Sequence, residues 1–160
     1  MDLILVRHGK AEDVSAEGDR GRVLTEKGRN QSRAVGRLLL KMELLPDLVF
    51  ASPRARAVET GVGVMAGAEL SGQPVVQEWL DFSLSNQNLM AELAALPSEI
   101  RCVVLVGHEP SFSALVEWLL GAEGGGYAEM KKAAAAHFQI SPPSRRGAVL
   151  KMLVPPRVLL

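Results

Sequence analysis

The chain has 160 residues, of which 48% are hydrophobic, and its 18 Lys plus Arg balance its 18 Asp plus Glu. Such a length predicts one domain, spanning residues 1–160, that can bury most of its apolar surface. The balanced charge argues against a nucleic-acid partner, so an anionic substrate has to be attracted by a local cluster of arginines.

The same sequence lacks the signals of membrane insertion or export. No apolar run approaches the roughly 20 residues that a membrane span needs. Asp2 stands where a secretory leader would carry basic residues. Cys102 is the single cysteine, so no internal disulfide can form. These features predict a cytoplasmic protein that binds no membrane.

The first predicted element is a strand over residues 3–6, an uninterrupted apolar run of the kind that is buried on both faces of a sheet. Arg7, His8 and Gly9 follow it directly, and Gly9 lets the backbone turn without a Cβ clash. A cation and an imidazole therefore stand at the carboxyl end of a central strand. The polar stretch over residues 10–22 is predicted to be a loop lying over that strand end.

Strands and helices are predicted to alternate through the first 120 residues. Thr25 is the expected N-cap of the first helix, which ends before Pro46, and Ser52 with Pro53 is expected to begin the second. Further strands are predicted at residues 48–51, 74–77, 101–106, 136–140 and 148–154, further helices at 88–96 and 111–120, and a flexible connection at Gly124-Gly125-Gly126. This alternation predicts a three-layer α/β/α sandwich, a mostly parallel central sheet flanked by helices.

Polar side chains follow four of the predicted strands, at the point where each strand ends. They are Arg7 and His8 after the first strand, Arg54 and Arg56 after the second, Glu78 after the third, and His108 after the fourth. Because parallel strands bring their carboxyl ends to one edge of a sheet, these side chains are expected to converge. Arginine offers a planar fork of donors that matches phosphate oxygens. The pattern predicts an anion pocket for phosphoryl transfer, with His8 as nucleophile and no metal ligands.

Four motifs, in this order along residues 3–120, resemble the histidine phosphatase superfamily, the phosphoglycerate mutase-like group. They are Val6-Arg7-His8-Gly9, Leu24-Thr25-Glu26-Lys27-Gly28, Ser52-Pro53-Arg54-Ala55-Arg56-Ala57-Val58-Glu59-Thr60 and Val106-Gly107-His108-Glu109-Pro110. The short chain is most similar to the small phosphohistidine phosphatase branch, the SixA-like proteins. The resemblance implies the phosphoglycerate mutase-like fold and a phosphatase activity that needs no cofactor.

The resemblance also implies a role for each matching position. His8 would attack phosphorus and become a phosphohistidine, while Arg7, Arg56 and His108 hold the phosphoryl oxygens. Arg22 resembles a further arginine of the small branch and is expected to reach the substrate. A loose transition state spreads charge over three oxygens, so positioned cations would supply most of the catalysis. The same arginines favour the neutral form of His8, which can attack.

The general acid is expected to be Glu78, with Asp81 as the alternative. The imidazole that leaves a phosphohistidine is already a good base, so demand for a strong acid would be small. The leading substrate is a phosphohistidine on a partner protein, because little sequence between residues 76 and 103 is available for a lid. A small phosphorylated metabolite is the alternative substrate. The alternative to an enzyme is a phosphoprotein-binding module that has lost turnover.

Overall fold

The computed structural model describes residues 1–122 and 125–160, so Gly124 of the predicted glycine connection lies outside the described residues. In chain order the strands are β1 (Asp2–Arg7), β2 (Leu48–Ala51), β3 (Val75–Val76), β4 (Cys102–Gly107), β5 (Ala135–Ser141) and β6 (Ser144–Val154). The helices are α1 (Glu26–Lys41), α2 (Ala55–Gly67), α3 (Asn86–Ala94) and α4 (Ser111–Leu119), with short 3₁₀ turns at Asp19–Gly21, Glu78–Leu80 and Pro156–Val158. In these residues no helix is long and apolar enough to cross a membrane.

The six strands form one sheet in the order β3-β2-β4-β1-β5-β6. The first four run parallel, and β5 and β6 are antiparallel at one side. This arrangement confirms the predicted α/β fold with a mostly parallel sheet. The apolar residues of β1 at positions 3–6 are fully buried, as expected for a strand with helices over both faces.

Two apolar clusters lie on opposite faces of the sheet. Leu3 and Leu5 of β1 pack in the cluster that contains the buried residues of α3 and α4. Ile4 and Val6 pack with α1 and α2 on the other face. Successive side chains of a strand point to opposite faces, so a single apolar run supplies both layers. Each such side chain contributes about 1.5–3 kcal/mol through burial.

Helices α1 and α2 approach each other at two glycines. A Cβ built on Gly36 would lie 2.1 Å from the carbonyl oxygen of Val64, and one on Gly67 would lie 2.1 Å from that of Arg33. The neighbouring atoms are backbone and cannot swing aside. These glycines thus have a packing role that outweighs their low helix propensity.

Substitution Gly36→Ala is expected to destabilise the fold by about 1–3 kcal/mol, because the two helices must separate to admit the methyl group. Alanine is otherwise the better helix former, so propensity alone predicts the opposite sign. Urea unfolding of the variant measures the difference, with Asn30→Ala on the exposed side of α1 as control. Equal or greater stability of Gly36→Ala would contradict the close packing of these helices.

Two helices begin at residues other than those predicted. Helix α2 was expected to begin at Ser52 and Pro53, but it begins at Ala55, with Arg54 at the N-cap. The hydroxyl of Ser52 lies 2.7 Å from Nε2 of His108 instead, so a tertiary contact takes the group that would have capped the helix. Helix α3 begins at residue 86 rather than 88, because the Ser85 hydroxyl accepts a hydrogen bond from the helix N-terminus.

Candidate active site

Three parallel strands end level with one another. Arg7 of β1 is paired with Gly107 of β4, and the ladder continues one residue further, where the amide of His8 donates to the Gly107 carbonyl at 3.0 Å. The amide of Ser52, just after β2, donates to the Val106 carbonyl at 3.0 Å. This register brings the histidines together, and the ring centroids of His8 and His108 are 5.2 Å apart.

His8 is held in one tautomer. Its Nδ1 lies 2.8 Å from the carbonyl oxygen of Gly9, and a carbonyl only accepts, so Nδ1 carries the proton and Nε2 keeps a lone pair. Burial, aided by the neighbouring His108, Arg56 and Arg7, outweighs the hydrogen bond to the Gly9 carbonyl and lowers the pKa of His8 to about 3. The ring is therefore a neutral base with a free nitrogen at physiological pH.

The turn that carries His8 is fixed from two sides. The Gly9 amide donates to the Thr60 hydroxyl at 3.0 Å, and that hydroxyl donates to the Arg56 carbonyl at 2.7 Å. A Cβ on Gly9 would lie 2.8 Å from the Gly28 carbonyl, so the start of α1 lies against this turn. Thr60 was missed as a site residue in the sequence, although it closes the third motif.

His108 is almost fully buried, with 2% of its surface exposed. Its Nε2 lies 2.7 Å from the Ser52 hydroxyl and 3.9 Å from Oδ1 of Asp81. Its Nδ1 has no hydrogen-bond partner within residues 1–122 and 125–160. Burial and the nearby Arg56 charge lower the pKa of His108 to about 4, so this ring is neutral as well. A neutral imidazole can donate one hydrogen bond to an anion without repelling the arginines.

The predicted phosphate-binding arginines reach this edge of the sheet from different elements. Arg56, in the first turn of α2, is 4% exposed, and its Nη1 donates to the Asp19 carbonyl at 2.8 Å. Arg7, at the end of β1, donates from Nη1 to the Met130 carbonyl at 2.8 Å. The Nε of Arg7 is buried and has no partner in the described part of the chain. Arg22 donates from Nε to the Glu12 carbonyl at 2.6 Å and is thus held within the loop.

Asp19 places a carboxylate among three arginines. Its oxygens accept from Arg22 at 2.8 Å, Arg54 at 2.6 Å and Arg56 at 3.1 Å. The hydrogen bond from Arg22 and the charges of Arg56 and Arg54 lower the pKa of Asp19 to about 2. Asp19 was not among the residues predicted for the site. The available signal was a carboxylate in a loop expected to cover a cluster of arginines.

The two candidate acids lie in different surroundings. Glu78 has an exposed side chain and pairs with Arg20 at 3.0 Å. Asp81 is bound by Arg54 Nε at 2.6 Å and lies 3.9 Å from Nε2 of His108. Burial raises the pKa of Asp81, but the hydrogen bonds from Arg54, a backbone hydrogen bond from Phe82 and the charge of Arg54 together outweigh burial and leave a net lowering. The alternative acid therefore lies at the site, and it is ionised.

Comparison with known proteins identifies the family. The model of the histidine phosphatase superfamily (branch 1) matches residues 3–81. An uncharacterized protein of Picosynechococcus sp. is 32% identical over 138 residues, which cover 83% of this chain and 81% of that protein. This chain belongs to the histidine phosphatase superfamily.

Solved structures extend the similarity within the superfamily to its SixA-like branch. The protein histidine phosphatase SixA, complexed with tungstate, is 25% identical and matches with a TM-score of 0.86 over 100% of both chains. A SixA protein of Nakamurella multipartitia is 27% identical, with a TM-score of 0.71 over 97% of this chain and 95% of that one. These similarities confirm the expected family and fold.

The similarity to a phosphoglycerate mutase covers only part of each chain. A 2,3-bisphosphoglycerate-dependent phosphoglycerate mutase of Rhodococcus opacus is 35% identical over 80 residues. The match covers 48% of this chain and 32% of the mutase, so this chain spans about a third of that enzyme's length. A phosphoserine phosphatase of Entamoeba histolytica is 18% identical with a TM-score of 0.74, which shows the shared fold.

The two histidines of the site, both buried, predict an acid-labile fold. The pKa values of His8 and His108 fall from 6.5 to about 3 and about 4 in the folded chain. Between about pH 4 and 6.5 the unfolded chain binds more protons, so stability rises with pH there and is lost as the pH falls. Each unit of pKa difference corresponds to about 1.4 kcal/mol per group.

Urea unfolding between pH 7.5 and 4.5 measures this dependence. We expect the free energy of unfolding to fall steadily below pH 6.5. The double variant His8→Asn, His108→Asn removes both titrating rings and should flatten the curve in this window. A wild-type curve that is flat from pH 6.5 to 4.5 would show that the folded rings titrate normally.

Proposed function

We propose that this chain is a phosphatase that uses Nε2 of His8 as its nucleophile and forms a phosphohistidine intermediate. The observation that carries this proposal is the state of the His8 ring. The Gly9 carbonyl fixes the proton on Nδ1, and burial keeps the ring neutral, so the lone pair of Nε2 is available at neutral pH. Among the described residues, no other buried histidine has its Nδ1 proton held by a backbone carbonyl beside a group of arginines.

In the first step Nε2 forms a bond to phosphorus as the bond to the leaving group breaks and the leaving group takes the electron pair. Positive charge develops on the His8 ring, and the hydrogen bond from Nδ1 to the Gly9 carbonyl stabilises it. Arg7, Arg56 and His108 hold the phosphoryl oxygens, on which negative charge is spread in the transition state.

In the second step a water oxygen attacks the phosphorus of phospho-His8. The bond from phosphorus to Nε2 breaks, and its electron pair returns to the nitrogen. The protons of the water pass to the phosphate product and to solvent. The ring thereby regains the neutral tautomer that the Gly9 carbonyl selects, ready for the next cycle.

The substrate that we propose is a phosphohistidine side chain on a partner protein. Asp81 and Asp19 are the carboxylates hydrogen-bonded to arginines at the site, and arginine lowers the pKa of each. Neither is suited to donate a proton to a leaving alkoxide. A phosphohistidine protonated on its distal nitrogen leaves as neutral imidazole and needs no such donor. The similarity to the protein histidine phosphatase SixA supports the same substrate class.

A small phosphorylated metabolite is the second candidate, and one contact favours it. Asp81 lies 3.9 Å from Nε2 of His108, close enough to serve as an acid if a bound substrate drew Arg54 away. The partial match to phosphoglycerate mutases is consistent with such a substrate. In a protein that only binds phosphoproteins, neither substrate class would be turned over.

The test is a comparison of substrates with one trapping experiment. The chain is mixed with a ³²P-phosphohistidine domain, quenched in alkali, and examined for acid-labile label, while kcat/KM is measured for that domain, phosphoserine and 3-phosphoglycerate. We expect transient label on this chain and the highest kcat/KM for the phosphohistidine domain. A higher kcat/KM for 3-phosphoglycerate would favour a small metabolite as the substrate. Retention of label on the phosphohistidine domain would favour a module that binds phosphoproteins without turnover.

A further inference from the structure

Phe82 is a large apolar side chain that remains exposed beside the catalytic histidines. It follows Asp81 directly, and 53% of its surface is open to solvent. Burial of a phenylalanine stabilises a fold, and at this position the chain forgoes about half of that stabilisation. A single exposed apolar residue is common on protein surfaces. The contacts of this ring distinguish it from such residues.

The Phe82 ring lies next to His108, which lies next to His8. The ring centroids of Phe82 and His108 are 5.0 Å apart with an interplanar angle of 64°, an edge-to-face contact. The centroids of His108 and His8 are 5.2 Å apart. The three rings therefore form a series that runs from the nucleophile to the rim of the site, with the exposed phenylalanine at its outer end.

Arg54 fixes the ring in place. Its guanidinium carbon lies 3.8 Å from the Phe82 centroid, in a cation–π contact. The same guanidinium is held by Asp81 at 2.6 Å and by Asp19 at 2.6 Å, and its side chain is 15% exposed. A ring that is clamped on one face and still half exposed presents a rigid, preorganised apolar surface to whatever enters the site.

A leaving group must occupy the outer side of the phosphoryl group. The nucleophile attacks phosphorus from one side, and the departing atom lies roughly in line on the other. His108 lies next to both His8 and Phe82, so we expect a leaving group that points away from the His8 nitrogen to extend toward the rim, where Phe82 lies. A planar ring bonded to phosphorus can stack on this surface, whereas an alkyl chain gains only apolar contact.

We propose that Phe82, clamped by Arg54, is a stacking subsite for planar leaving groups, the imidazole of phosphohistidine first among them. This inference rests on the proposed phosphatase function and adds the residue that selects the leaving group. Selection arises because an aromatic pair is favoured over an aromatic–alkyl contact of equal area by up to about tenfold in binding. Aryl phosphates are accepted for the same reason.

The test compares two substrates that differ in the leaving group. Phosphoimidazole carries a planar leaving group and phosphoserine carries an alkyl one. The ratio of their kcat/KM values is measured for the wild-type chain, Phe82→Leu and Phe82→Tyr. We expect Phe82→Leu to lower the ratio about tenfold and Phe82→Tyr to keep it within about twofold, since tyrosine retains the ring.

Two controls separate the possible outcomes. Leu120→Ala removes an apolar side chain that is 51% exposed at the far end of α4 from His108, and its ratio should equal that of the wild type. An equal fall of both kcat/KM values in Phe82→Leu would show that Phe82 only supports His108 and Arg54, which overturns the subsite. An unchanged ratio overturns it too.

The wild-type phosphoenzyme distinguishes failure of this inference from failure of the proposed function. If label appears on His8 and the ratio does not respond to Phe82→Leu, the phosphatase stands and the stacking subsite is wrong. If no label appears with either substrate, the phosphatase itself is wrong. Thermal unfolding of each variant establishes that it is folded before its kinetics are compared.

Discussion

Substitution His8→Ala is expected to lower the rate of phosphate release by about a million-fold, the scale on which loss of a catalytic nucleophile acts. The variant removes Nε2, the atom that the Gly9 hydrogen bond leaves with its lone pair. The chain should still fold, because the buried ring is neutral and its removal leaves no unpaired charge. Initial rates with a phosphohistidine domain measure the loss of phosphate release, and alkali-quenched labelling with the same domain measures the loss of the phosphoenzyme.

The third histidine of the chain provides a matched control. His137 is buried on β5, where its Nε2 lies 2.7 Å from Oδ1 of Asp2 at the opposite end of β1 from His8. Substitution His137→Asn should leave the acid-labile label in place. Label that persists in His8→Ala would show that another side chain is the nucleophile and would contradict the mechanism proposed above.

Substitution Arg56→Ala is expected to lower kcat by about 10²–10³-fold, the range found for removal of one preorganised donor to a transition-state oxyanion. Arg56 is 4% exposed, so its charge acts in a site from which water is largely excluded. Arg56→Lys should recover only part of the loss, because an ammonium group cannot reproduce the two-pronged geometry of a guanidinium. Steady-state rates on a phosphohistidine domain measure the series.

Arg20→Ala is the control for loss of a positive charge near the site. Arg20 lies in the same loop as Asp19, but its side chain is 58% exposed and pairs with Glu78. An exposed pair of this kind contributes little to stability or to the local field. The rate of Arg20→Ala should therefore stay close to that of the wild type. A rate for Arg56→Ala no lower than that for Arg20→Ala would show that Arg56 does not hold the phosphoryl group.

The structure also explains why Glu78, the predicted acid, pairs with Arg20 while Asp81 lies beside His108. Glu78 was chosen because it follows a predicted strand, and β3 does end at Val76. The chain then enters the 3₁₀ turn Glu78–Leu80, which directs Glu78 toward Arg20 and brings Asp81 against Arg54. One turn of helix rotates successive side chains around an axis, so distance along the chain from a strand end does not decide which carboxylate reaches the site.

Local patterns in the sequence determined the architecture of this protein. The apolar run of β1 ends at Arg7 and that of β4 ends at Gly107, and a histidine follows each. Strands that are buried on both faces have few alternatives to a central parallel position. The convergence of His8 and His108 follows from that pairing, since residues after parallel strands share one edge. The Thr25 cap of α1 is likewise a short-range signal, and it was confirmed.

Tertiary structure decided the features that depend on contacts between distant segments. The tautomer of His8, the Ser52 contact to His108 and the position of Asp19 among three arginines each require the folded loop or turn to be in place. Burial of the two rings, which lowers their pKa values, is a property of the packed molecule and not of any segment. Sequence thus determined which groups meet at this edge, and packing determined their protonation and their partners.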